Sequence, residues 1–340
     1  MFSLGKFSSS DENLIQFVSD FIVEWSMEGA SFVVQSSGST GKPKLIELTK
    51  AQMVLSAQKT NQFFQFNAET KALLCLSLYT IAGKMMLVRA LVGDYFLQIE
   101  NPSSNPLKSV SEPIDFLAIV PLQLETILSE SPEKLDLVKT IIVGGAPVSD
   151  KLKQQLKAVK KTVFQTYGMT ETVSHVALKK IGFEESPFYQ ALDGVTFSRQ
   201  NENLVIHYPA LLLEPLLTTD LVHLKDASHF EWIGRADFII NSGGVKLNPE
   251  SIEAKLAEVI SVPFFVSSLP DDLLGNKLVL VLESTEANDY SKKTFESILK
   301  RYEIPKMLTI LPTFERTTSG KINRKETLSK ILANDWKPIL

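Results

Sequence analysis

The sequence predicts a layered α/β domain followed by a smaller α+β domain, on three observations. Short β-branched and aliphatic runs alternate with helix-like segments over the first two-thirds of the chain, the pattern of strands layered with helices. Past Pro209 the texture changes to short strand-like runs with few helices between them. At 340 residues the chain exceeds the size at which one hydrophobic core keeps growing, so two unequal units are the natural division.

In chain order, residues 31–34 and 45–48 read as strands flanking a Gly/Ser-rich loop, and Thr49 is placed to cap a helix over 50–64. The apolar runs 72–78, 115–120 and 140–143 fit buried strands. Between and after them, 121–130 and 150–160 have helical leucine spacing, with Pro121 and Ser149 as starters. Residues 204–207 and 221–224 are short strands of a β-rich patch. The run 233–240 leads through Gly243 and Gly244 to Pro249, where a proline and the acids Glu250 and Glu253 start a helix. A strand over 277–282, a helix over 290–301 and a strand over 307–311 complete the small unit. The division falls near Arg235–Asp237, giving units 1–235 and 236–340.

Composition excludes several classes. Apolar content of 44% with 22% charged residues is that of a globular chain, and a formal charge of −4 leaves no electrostatic footprint for nucleic acid. The single cysteine, Cys75, permits neither an intramolecular disulfide nor a thiolate zinc site, and its apolar surroundings keep it protonated as a core residue. The N-terminus lacks the uninterrupted apolar stretch of a signal peptide. The longest apolar region, 72–97, is broken by Lys84, Arg89 and Asp94, so it is not expected to insert in a membrane. The reading is a cytoplasmic protein.

One loop carries polyanion chemistry: Ser36, Ser37, Gly38, Ser39, Thr40, Gly41, Lys42, Pro43, Lys44. Glycines let backbone approach a phosphate, hydroxyls donate to its oxygens, and lysines supply charge. It is not a Walker A loop, because Gly38 and Gly41 are too close together and Pro43 follows Lys42. Further strings follow in order: Gly144-Gly145-Ala146-Pro147, Tyr167-Gly168-Met169-Thr170-Glu171, Thr218-Thr219-Asp220, Gly234-Arg235-Ala236-Asp237 with Gly243-Gly244, and Arg316 to Arg324 around Ser319-Gly320-Lys321.

Together these strings, spanning residues 36 to 324, resemble the adenylate-forming superfamily of acyl-CoA synthetases, luciferases and peptide-synthetase adenylation domains. The resemblance implies that family's fold, a large N-terminal layered α/β domain with a small mobile C-terminal α+β domain. It implies an ATP-dependent acid–CoA ligase using ATP, Mg²⁺ and CoA: a carboxylate is adenylated with release of pyrophosphate, then passed to CoA with release of AMP. Under it the loop from Ser36 to Gly41 with Lys44 binds phosphates, and Gly145 and Ala146 border adenine. Tyr167 offers a stacking face beside Gly168 and Met169, while Thr170 donates to phosphate. Glu171 holds Mg²⁺, a hard cation suited to carboxylate oxygen. Asp220 accepts from the ribose hydroxyls and Arg235 adds a donor. Lys321 stabilises the negative charge of adenylation. Asp237 is the hinge, and Ser242, Gly243 and Gly244 line the CoA tunnel.

Three positions depart from the family pattern: Thr219 and Leu45 stand where glycines are usual, and Thr80 replaces a histidine near the tunnel mouth. The compactness, the Ser174-His175 pair after the Tyr-Gly-Met-Thr-Glu-Thr string, and Asn241 to Leu247 resemble short o-succinylbenzoate–CoA ligases of menaquinone biosynthesis. That substrate's second carboxylate needs donors, for which Lys84, Arg89, Ser174 and His175 are the candidates; Lys84 and Arg89 have the alternative of lying solvated on a helix. Other readings are a ligase for another aromatic acid, a loader of an acyl carrier protein, or a catalytically silent nucleotide-binding relative.

Overall fold

A computed structural model describes residues 4–35, 45–286, 290–316 and 322–339. The chain opens with β1 (Phe7–Ser8) and α1 (Glu12–Ser26), a helix capped by the Asp11 carboxylate accepting from Asn13 N. The ribbon β2 (Ser31–Gln35) and β3 (Leu45–Thr49) follows, antiparallel with Phe32 opposite Leu48. Thr49 caps α2 (Lys50–Phe64) as expected: its hydroxyl accepts from Gln52 N at 3.2 Å while the Gln52 side chain accepts from Thr49 N at 3.0 Å.

Next come β4 (Lys71–Leu74), α3 (Ile81–Gly93), β5 (Phe96–Ile99), β6 (Ile114–Ile119), α4 (Pro121–Glu130), β7 (Val138–Val143), α5 (Asp150–Ala158) and β8 (Thr162–Gly168). Strands β1, β5, β4, β6, β7 and β8 lie side by side and parallel. Both faces of this half-sheet are covered, which is why its strands read as continuous apolar runs. In β4, Ala72 and Leu74 enter one buried cluster with α2 and α3, whereas Leu73 joins the other with α4 and α5.

After β8 the sheet turns antiparallel. Strands β9 (His175–Gly182), β10 (Tyr189–Ala191), β11 (Thr196–Gln200), β12 (Asn203–His207), β13 (Leu216–Asp226) and β14 (His229–Arg235) extend it in the order β8-β9-β10-β14-β13-β12-β11. The hairpin β15 (Ile240–Ser242) and β16 (Val245–Leu247) then precedes α6 (Pro249–Leu256), β17 (Phe264–Asp271), β18 (Gly275–Glu283), α7 (Lys292–Glu296), β19 (Met307–Leu311), α8 (Arg324–Ser329) and β20 (Lys337–Pro338). Strands β17 to β20 form a separate sheet around their own cluster of Leu256, Val266, Leu280 and Phe295.

Two expectations are corrected. The run 72–78 is a strand only to Leu74, because the Ser77 carbonyl accepts from Thr80 and turns the chain into α3. Regular helix in 290–301 is confined to Lys292–Glu296. Strand β14 ends at Arg235, and a 3₁₀ turn at Ala236–Phe238 separates it from β15. No helix among the described residues is long and apolar enough to cross a membrane.

Candidate functional site

In an open parallel sheet, ligands bind beyond the carboxyl ends of the strands, and the motif residues gather at those ends. Gly145 and Ala146 follow β7 as exposed backbone, with Gly145 at φ +87°. Tyr167 and Gly168 end β8, and a register shift occurs between them against β9. Gly168 is required there, since a Cβ would fall 2.3 Å from the Ser174 carbonyl oxygen and 2.6 Å from His175 Cα. A 3₁₀ turn, Thr170–Thr172, follows and leaves Glu171 exposed.

Asp220, on β13 and directly opposite Arg235 of β14, is buried. Its Oδ2 accepts from the Tyr167 hydroxyl at 2.6 Å and its Oδ1 from Trp232 Nε1 at 3.1 Å. Burial and the Asp220 charge hold the Tyr167 phenol well above its usual range. Its ring meets Phe230 edge-on at 4.9 Å. Trp232 escaped the sequence reading, since its contact with Asp220 depends on the pairing of β13 with β14.

Arg235 does not reach Asp220 with its side chain. Its guanidinium donates to both Asp237 oxygens, at 2.9 and 2.8 Å, and to Thr219 Oγ1 at 2.9 Å. Thr219, the departure from glycine, is thus an anchor for this arginine. The Arg235 backbone N–H donates to Glu250 at 2.8 Å. Burial pushes the Glu250 carboxyl up to about 7 against the pull of Arg324. The Phe238 ring is flanked by the guanidinium groups of Arg235 and Arg324, at 5.5 and 5.3 Å.

A second cluster lies between α3, α2 and β9. Arg89 is 3% exposed, not solvated on its helix. One guanidinium nitrogen donates to Ser174 Oγ at 2.5 Å, another sits 3.8 Å from Met86 Sδ, and Nε has no partner among the described residues. Burial lowers the guanidinium pKa to about 10. His175 is buried with Nδ1 3.4 Å from Ser174 Oγ and Nε2 3.2 Å from Thr60 Oγ1. Burial and the Arg89 charge hold its imidazole well below its usual range, hence neutral. The structure therefore brings Arg89, Ser174 and His175 together. Lys84 does not join them: five residues earlier on α3, it lies roughly 140° around the helix from Arg89.

Val173 ties the two clusters together at a cost. It is buried at φ 64°, ψ −52°, and the Ser174 N–H reaches back to the Thr172 carbonyl at 2.7 Å. This is the rare positive-φ γ-turn, strained for a β-branched residue by about 1–3 kcal/mol.

Among the remaining expected residues, Thr80 caps α3, its hydroxyl accepting from Gly83 N at 3.3 Å. Asp237 lies in the turn between β14 and β15. Ser242 ends β15, and Gly243 and Gly244 make the two-residue hairpin turn at φ +57° and +80°, the conformation that favours glycine at both positions. The phosphate-loop residues Ser36, Ser37, Gly38, Ser39, Thr40, Gly41 and Lys44, and Lys321, lie outside the described residues. No group of three or more His, Cys, Asp or Glu side chains gathers as a metal cage among the described residues. A single exposed carboxylate such as Glu171 fits Mg²⁺, which commonly binds through one or two carboxylates and substrate phosphates.

A parallel half-sheet with helices on both faces, an antiparallel extension and a separate small sheet match the fold of solved adenylate-forming enzymes. The chain belongs to the AMP-binding enzyme family, whose model matches residues 8–194. It is 37% identical to an acyl-CoA synthetase (AMP-forming)/AMP-acid ligase II-like protein from Dyadobacter fermentans, covering 95% of this chain and 96% of that one with a TM-score of 0.63. A 2-succinylbenzoate–CoA ligase of Listeria monocytogenes is 26% identical over 338 residues, which cover 89% of this chain and 70% of the relative. The o-succinylbenzoate CoA synthetase of Bacillus subtilis, in complex with its acyl-adenylate intermediate, shares the fold with a TM-score of 0.75 at 21% identity, covering 91% and 70% of the two chains.

Proposed function

We propose that the chain is an ATP-dependent acid–CoA ligase that activates o-succinylbenzoate. The observation that carries the choice of acid is Arg89, a guanidinium buried to 3% exposure with no carboxylate partner among the described residues. A buried cation costs several kcal/mol unless a counter-charge arrives. An acid with a second carboxylate supplies one, and the 2-succinylbenzoate–CoA ligases among its relatives support the same choice.

In this reading residues 1–235 bind ATP and the acid, and residues 236–340 form a small domain that turns about Asp237. The substrate carboxylate not held by Arg89 attacks the α-phosphorus of ATP; a carboxylate O–P bond forms as the bond to pyrophosphate breaks. Ser36 to Gly41 and Lys44 hold the phosphates, Thr170 donates to one, and Gly145, Ala146, Tyr167, Gly168 and Met169 border the adenine. Asp220 and Arg235 take the ribose. The Asp220 oxygens retain accepting capacity beyond Tyr167 and Trp232, while Arg235 exchanges Asp237 for the nucleotide. Glu171 would hold Mg²⁺, which neutralises phosphate charge when bound. Lys321 stabilises the charge developing where the carboxylate meets the α-phosphate. After the small domain turns, CoA enters past Ser242, Gly243 and Gly244; its sulfur attacks the acyl carbon and AMP leaves.

Purified protein with Mg-ATP, o-succinylbenzoate and CoA is expected to release pyrophosphate and AMP and to form the thioester. ADP with orthophosphate as products would sink the adenylate reading. Faster turnover of benzoate or fatty acids would remove the substrate assignment, and a thioester formed only on a carrier protein would replace CoA as acceptor.

A further inference from the structure

The hydroxyl of Ser174 receives a hydrogen from Arg89 at 2.5 Å. Having accepted there, it has its own proton to place, and the ring nitrogen beside it is His175 Nδ1 at 3.4 Å. If Nδ1 accepts, the proton of the neutral ring is on Nε2, which points at Thr60 Oγ1, 3.2 Å away. Thr60 in turn donates to the Ser56 carbonyl at 3.2 Å. One assignment therefore satisfies every group in a single direction: Arg89 to Ser174, Ser174 to His175, His175 to Thr60, Thr60 to Ser56. Ser56, Thr60 and His175 are buried, which keeps water from the inner end of the chain, while Ser174 is half-buried at its Arg89 end.

Ser174 is delivered by the strained turn at Val173, and Arg89 is held by that one hydroxyl and a sulfur. A serine free to rotate could turn its hydrogen toward the guanidinium and lose the contact. We propose that His175, backed by Thr60, is a positioning and specificity-determining residue: it locks the Ser174 hydroxyl as an acceptor for Arg89 and so aims the guanidinium that selects an acid with a second carboxylate. The inference rests on the dicarboxylate reading above, and a chain of matched donors is stronger than its separate links.

The test compares o-succinylbenzoate with 4-oxo-4-phenylbutanoate, the same acid without the ring carboxylate, in the full chain. His175→Leu is expected to reduce discrimination between them about fivefold to tenfold, the loss of one buried neutral hydrogen bond, falling on KM for the dicarboxylate rather than on kcat. His175→Asn, whose side-chain oxygen occupies the place of Nδ1, should restore most of it. Equal KM increases for both acids, or no rescue by asparagine in folded protein, would overturn the positioning role in favour of packing. A second measurement does not depend on the acid. Imidazole ¹⁵N spectra at pH 7 should show neutral His175 with the proton on Nε2, and Ser174→Ala should shift Nδ1; a proton on Nδ1 or a cationic ring overturns the proposal. If wild-type protein uses both acids equally, the dicarboxylate reading fails, and these spectra alone decide the hydrogen-bond order.

Discussion

Arg89 and Arg235 occupy opposite electrostatic settings within one molecule. Arg235 lies near the surface, meets both oxygens of Asp237 and is held above its usual pKa range by that partner. Arg89 is buried, meets a hydroxyl and a sulfur, and is lowered by desolvation. The first is a cation already compensated by its own chain and able to exchange one partner for another. The second is a cation with no carboxylate partner among the described residues, and in the proposed function the substrate supplies one. Removing each should therefore weaken binding of a different substrate while acting in opposite directions on stability.

The largest effect is expected for Arg89→Met. Losing the partner of a buried substrate carboxylate should lower kcat/KM for o-succinylbenzoate by roughly 10²–10³-fold, about 3–4 kcal/mol. Urea unfolding should show unchanged or increased stability, by about 1 kcal/mol, because an uncompensated buried charge is gone. Marked destabilisation with unaltered acid kinetics would make Arg89 a structural residue and collapse the contrast.

Gly168→Ala comes next, since the added Cβ would meet the backbone of Ser174 and His175. We expect a stability loss of about 1–3 kcal/mol, the usual range for overpacking, with a raised acid KM, read by thermal melts and kinetics together. A variant that keeps both would mean that the approach of β8 to β9 is not what sets the acid site.

On the Arg235 side, pH gives the probe. The Glu250 carboxyl, pushed up to about 7, is penalised in the folded state when ionised. Between an ordinary carboxylate value and about 7 the folded chain holds more protons than the unfolded one. Stability should therefore fall as pH rises through that window and level off above it, by on the order of 1–3 kcal/mol. Glu250→Gln keeps an acceptor for the Arg235 N–H and should flatten that part of the profile; an unaltered profile assigns the dependence elsewhere.

The smallest effect concerns the Arg235–Asp237 pair itself. A double-mutant cycle in denaturant should return about 0.2–1 kcal/mol, the worth of a partly exposed ion pair. Arg235→Ala should nevertheless raise KM for ATP more than Asp237→Ala does. A coupling energy of several kcal/mol would show that the pair is a structural lock rather than an exchangeable contact.

Much of this was legible in the residues. Thr49, Pro121 and Ser149 marked helix starts because caps act locally, and 307–311 read as a strand because its apolar run had no helical period. In the apolar stretch 72–97 only the first strand was read, and too long: strand, helix and strand are all buried there, so periodicity fades. Motif spacing found Tyr167, Asp220 and Arg235 but not Trp232, whose contact with Asp220 exists only once β13 and β14 pair. Arg89 was found as a candidate, yet its burial was not, since a lone arginine among apolar residues reads equally as a solvated helix face. Thr60 carried no signal, because its partner lies 115 residues away.

The γ-turn at Val173 sets a trap for anyone improving this protein by selection for heat resistance. Glycine tolerates that backbone angle without penalty, so Val173→Gly stands to survive such a screen if relief of strain exceeds the lost burial of the valine and the added chain entropy. The same substitution would free Ser174 to wander from Arg89. Thermostability and selectivity would then trade against each other at one position, and a screen scoring only the first would accumulate enzymes that accept the wrong acids.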